Sequence, residues 1–123
     1  MTALARPRGL LGLVAGFLVW SSAFVVLYGL HALGCAWGWD ARTAGVGSLG
    51  SVTLLRLVLV GAWALHLALA AGLLLAARRL ARARGDAGGG ASLVGSVTLT
   101  LSIAALVATL WTGLPVVTYP LCR

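Results

Sequence analysis

The stretch Leu10–Leu33, LLGLVAGFLVWSSAFVVLYGLHAL, runs for 24 residues without an Asp, Glu, Lys or Arg. A helix rises 1.5 Å per residue, so about 20 apolar residues cross a ~30 Å hydrocarbon core. Two more runs reach that length: Ser51–Ala77, broken by the ionisable Arg56 and His66, and Ala91–Leu114. Together they take up most of the 123 residues and leave little chain for a water-soluble module. The expected fold is an all-α membrane protein, a single domain over 1–123 with three transmembrane helices.

Hydrophobic residues make up 61% of the chain and charged residues 9%, which suits a bilayer rather than an aqueous core. The net charge of +7 raises the question of nucleic acid. Its distribution answers it. Every basic residue is an arginine, and Arg6, Arg8, Arg42, Arg78, Arg79, Arg82 and Arg84 flank the spans instead of lining one continuous basic face. Arg6, Arg8, Arg78, Arg79, Arg82 and Arg84 read as topology signals and as contacts to anionic lipid headgroups. The loop between the first two spans carries only Arg42, offset by Asp40. The positive-inside rule therefore predicts a cytoplasmic N-terminus and 78–90 loop, with the 34–50 loop and the C-terminus outside. The first run exceeds the 7–15 residues of a signal-peptide core, and the bulky Leu33 spoils the faint lipoprotein box at Ala32–Cys35.

The first helix is expected to end near Gly34, and the second in the arginine cluster. The third is expected to stop at Pro115, because a residue before proline avoids the helical region. Val116–Arg123 would then be a short extended tail. Trp37, Trp39, Trp111 and Tyr119 gather at the outer interface, where amphipathic rings settle. Trp20 and Trp63 fall deep in the spans, where each indole N–H needs a partner.

Cys35 follows the first span and Cys122 nearly ends the chain, so the topology puts both on the oxidising side, where cysteines pair. A Cys35–Cys122 disulfide would close nearly the whole chain into a loop, for which the chain-entropy model gives about 4–5 kcal/mol as an upper guide. The competing reading is a copper site: His31 and Cys35 share a helix face at i, i+4, and Cys122 could add a ligand. With no further Cys, Met or carboxylate beside them apart from Asp40, the disulfide is favoured and no metal is expected.

His31, Arg56 and His66 are the ionisable groups within the spans, Tyr28 aside, and such groups are functional candidates by default. On the helical rise His31 lies about 5 Å and His66 about 23 Å from the outer edge, too far apart to clamp one haem. One of the two could still ligate a haem held by another subunit, but no cofactor of the chain's own is expected. No span contains a carboxylate, which argues against an autonomous transporter, and no nucleophile, metal-protease or phosphate-loop constellation is present. The chain reads as a non-enzyme.

Small residues are the main positive signal inside the spans. Gly12 and Gly16 stand at i, i+4 in the first, and Ala64, Ala68 and Gly72 repeat that spacing in the second. In the third, Ser92, Ser96, Thr100, Ala104, Ala108 and Thr112 form an i+4 ridge that winds round the helix. Such residues let helices approach closely, and three helices use only part of this surface among themselves.

Two segments, Trp20–Cys35 (WSSAFVVLYGLHALGC) and Trp111–Pro115 (WTGLP) with the closing Cys122, resemble small proteobacterial three-span inner-membrane proteins associated with haem–copper oxidase systems. That resemblance carries no catalytic residues. It implies a non-catalytic accessory or assembly subunit of a larger energy-transducing complex in the bacterial inner membrane, acting by helix packing and contact with phospholipids. It also implies contact with a haem, quinone or lipid of the partner complex. The alternatives are a small redox protein binding haem or quinone through His31 or His66, a photosynthetic accessory subunit, and a holin-like pore former.

Overall fold

The computed structural model describes residues 7–43, 45, 52–84 and 90–122; the side chains of 7–9, 84 and 90–92 lie outside that description. Three helices make up the fold: α1 over Pro7–Ala36, α2 over Leu54–Arg84 and α3 over Gly90–Thr118. All three are long and apolar enough to cross a membrane, with spans of 27, 30 and 26 residues. The chain is a multi-pass membrane protein. Helices suit these runs because hydrocarbon offers no partner for a free N–H or C=O, and a helix satisfies both within itself.

The helix ends follow local chemistry. Pro7 opens α1, where a missing N–H costs nothing. α1 passes Gly34 and closes after Ala36 in a Schellman turn. Trp39 N–H donates to Gly34 O at 2.9 Å, Gly38 N–H donates to Cys35 O at 3.2 Å, and Gly38 takes φ +67°. α2 begins three residues later than the apolar run, because Thr53 caps it: Thr53 Oγ1 accepts the Arg56 N–H at 3.3 Å. Arg42 O and Trp39 O accept the N–H groups of Leu54 and Leu55 at 2.7 and 3.3 Å, so the loop is stitched to the next helix.

One expectation fails. α3 does not stop at Pro115 but continues to Thr118 with the proline inside it. The proline removes a single N–H, and the ladder resumes at once with Tyr119 N–H on Pro115 O at 3.0 Å. Val116, Leu121 and Cys122 also pack on the buried cluster Leu27, Leu55 and Leu59, which holds the last turn in place. The extended tail predicted from Val116 is reduced to a turn over Tyr119–Cys122.

Each helix packs against the other two. α1 and α3 run parallel: Gly12 faces Thr98, Gly16 faces Leu101 and Ala105, and Trp20 faces Thr112. α2 runs antiparallel to both, with Leu55 beside Gly34, His66 beside Ser22 and Trp63 beside Gly113. Glycine decides two of these contacts. A Cβ on Gly34 would run into the Leu55 side chain, and one on Gly113 would overlap the Trp63 indole. Replacing Gly113 with alanine is therefore expected to cost about 1–3 kcal/mol through overpacking. Unfolding of the micelle-embedded protein by denaturant measures this, and W63F in the same chain should recover part of the loss.

Candidate functional site

The chemistry-bearing side chains fall into two groups: a cluster at the end of the bundle where the cysteines meet, and polar pairs buried in its middle. Cys35 and Cys122 form a disulfide with a Cα–Cα distance of 5.5 Å across 87 residues of sequence. It ties the last turn of α1 to the turn after α3. The Schellman cap brings Cys35 there, and Cys122 meets it in a left-handed backbone, φ 58°. The bond takes up both thiolates that a copper site with His31 would require. His31 Nε2 lies 3.9 Å from Cys35 Sγ, where a bonded sulfur can only accept. His31 also lines a cleft of about 190 Å³ between α1 and α3, together with Tyr28, Thr112, Val116 and Tyr119.

Arg56 belongs to the same end. Its Nη2 donates to Tyr119 O at 3.1 Å, bridging the start of α2 to the tail. Its Nε is buried and has no partner.

Deeper in the bundle, α3 receives both indoles. Trp63 Nε1–H donates to Thr109 O at 2.9 Å, and Trp20 Nε1–H to Thr112 Oγ1 at 3.3 Å. The two threonine hydroxyls donate back to Ala105 O and Ala108 O at 2.7 and 2.8 Å. No bare polar atom results, although Thr109 is fully buried.

His66 is 7% exposed. Its Nδ1 lies 2.8 Å from Ala62 O, which can only accept, so Nδ1 carries the proton. Nε2 faces Ser22 Oγ at 3.2 Å, and that hydroxyl donates to Val19 O at 3.0 Å within α1. Ser22 lies nine residues before His31 on α1, so the two histidines sit about 14 Å apart in depth. The later start of α2 brings His66 nearer the disulfide end than its place in the apolar run implied. The structure still does not bring the two rings together.

The small-residue ridges divide between inside and outside. Gly12 and Gly16 pack on α3: a Cβ on Gly16 would stand 3.2 Å from Ala105 Cβ and 3.3 Å from Leu101 O. Ala64, Ala68 and Gly72 are exposed, and a Cβ on Gly72 would meet nothing within 4 Å. Ser96, Thr100 and Ala104 also face outward, and Ala108 is half-buried. α3 presents Ser102, Ala105, Thr109 and Gly113 to its neighbours instead, a stripe the i+4 ridge does not contain. Ser92 has its side chain outside the described residues. Arg78, Arg79 and Arg82 are exposed on the last turns of α2. Arg6 lies outside the described residues, as do the side chains of Arg8 and Arg84.

Sequence reasoning passed over Ser22, Thr109, Gly34 and Gly113. A signal for Gly113 was present, since it stands alone in a run of bulky residues one helix away from an unpartnered tryptophan. Comparison with known protein families, characterised proteins and solved structures finds no match to this chain.

Two outcomes test the site. Alkylation of the denatured, unreduced protein should modify neither cysteine, and C35S/C122S should lower stability by about 2–4 kcal/mol. Ser22→Ala removes the side-chain partner of His66 Nε2 and should cost about 1 kcal/mol, the scale of an interhelical hydrogen bond in a membrane. No change in the S22A unfolding curve would mean that the pair is not formed.

Proposed function

We propose that the chain is a non-catalytic accessory or assembly subunit of a larger energy-transducing complex in the bacterial inner membrane. The observation that carries this reading is the outward position of Ala64, Ala68 and Gly72 on α2. This ridge has the spacing that lets a second helix approach closely, and no helix of the chain occupies it. Beside it, a shallow cleft lined by Ala15, Val19, Ala68 and Gly72 opens along the α1–α2 seam. A respiratory haem–copper oxidase is the specific partner suggested by the resemblance of Trp20–Cys35 and Trp111–Pro115. The subunit would contribute packing surface and a lipid seal.

The orientation belongs to the same proposal. Arg78, Arg79 and Arg82, in the last turns of α2, stand at the opposite end from the disulfide. A disulfide persists in an oxidising compartment and an arginine-rich loop is retained in the cytoplasm, so the two signals support one direction. The N-terminus would face the cytoplasm and the C-terminus the periplasm.

A second reading, a small quinone-binding redox protein, draws support from the cleft at His31. Phe17, Trp20, Phe24 and Tyr28 form an aromatic ladder along α1 with centroid spacings of 5.9, 6.3 and 4.4 Å, leading to it. Solvent extraction of the purified chain separates the readings, since a quinone protein yields about one quinone per chain.

Purification in mild detergent with mass spectrometry of the partners is the direct test. The accessory-subunit reading expects a defined larger complex, and a lone monomer or homo-oligomer would sink it. Ala68→Leu with Gly72→Leu should abolish that co-purification while leaving the unfolding midpoint of the isolated chain nearly unchanged, because both positions are exposed.

A further inference from the structure

We propose that Arg56 is a binding site for the phosphate of a membrane phospholipid in the leaflet that meets the disulfide end. A guanidinium carries five N–H donors and a charge that never leaves it. Here one donor is used, by Nη2 on Tyr119 O, and Nε is buried with no acceptor. A cation at the edge of hydrocarbon is costly unless an anion accompanies it. The chain has two acidic residues, Asp40 and Asp86. Asp40 makes no ion pair with Arg56 among the described residues, and Asp86 follows the far end of α2 in sequence. The counter-charge must come from elsewhere.

Two features point to phosphate. Arg56 stands in the first turn of α2, where the helix dipole adds positive potential. The backbone N–H groups of that turn are already taken by Arg42 O, Trp39 O, Thr53 Oγ1 and Thr53 O, so an incoming anion meets the guanidinium and not the backbone. Independently, Trp37, Trp111 and Tyr119 are 57%, 75% and 67% exposed at this end of the bundle. Exposed rings of this kind mark the headgroup level, where lipid phosphates lie. The Nη2 contact lies at the surface, so the outer end of the guanidinium is reachable while Nε stays buried behind it. A planar fork and a phosphodiester match in geometry and charge.

Native mass spectrometry of the full chain in mild detergent tests this with three probes: phosphatidylglycerol, a galactosyl diacylglycerol without phosphate, and inorganic phosphate. The wild-type chain should retain one phosphatidylglycerol and no galactolipid, and millimolar inorganic phosphate should not displace it. R56Q should bind phosphatidylglycerol at least about tenfold more weakly, as expected for a charge-assisted bond. R42Q, which removes an exposed arginine at the same end, should bind as wild type. If R56Q loses its disulfide or helicity, R56K is the variant to read, with a several-fold loss expected because the fork is gone. Equal retention by R56Q, equal loss in R42Q, equal binding of the galactolipid, or displacement by free phosphate would each overturn the proposal. The same retention is expected with and without a neutral extension after Arg123. Retention only with the extension would make a chain-end carboxylate the anion and overturn it as well.

Discussion

The Cys35–Cys122 bond is the constraint on which the rest of the bundle depends. Inside a bilayer, lipid tails are as apolar as leucine, so burying apolar surface gives helices little reason to associate. Association then rests on close approach, on hydrogen bonds and on covalent ties. The disulfide joins the end of α1 to the turn after α3 and so keeps two parallel helices in register at one end. Leu27, Leu55 and Leu59 fill the space beneath it, and both cysteines pack against that cluster. The persistence of α3 through Pro115 follows from the same tie: an anchored tail makes a helical last turn cheaper than a free extended one.

Polar groups do the remaining work, and nearly all of them are spent inside the bundle. The indoles of Trp20 and Trp63 end on α3, and Ser22 meets His66 across the α1–α2 seam. The hydroxyls of α3 turn back to carbonyls four residues earlier, which removes their cost without reaching a neighbour. Arg56 is the exception, because its Nε is the one buried side-chain nitrogen or oxygen without a partner among the described residues.

The small residues divide between contacts inside the bundle and positions on its outer surface. Gly34 and Gly113 are consumed by contacts that a methyl group would block, and Gly16 by one that it would crowd. Ala64, Ala68 and Gly72 have the same spacing and chemistry, and they face away from the bundle.

By itself, the sequence determined the three spans, the pairing of two cysteines that share one end, and the need of Trp20, Trp63 and His66 for partners. These follow from length, apolarity and the cost of bare polar atoms, which act along a single chain. Only the tertiary structure decided which partners were chosen. Helical spacing shows that Gly12, Ala64 and Ser96 each head a ridge, but not which ridge turns inward, because that depends on the mutual rotation of α1, α2 and α3. The same rotation pairs Ser22 with His66, admits the Trp63 indole over Gly113 and sets the Arg56 guanidinium against Tyr119 O. Proline's local preference against helix at Leu114 was legible too, and it lost to the anchor at Cys122.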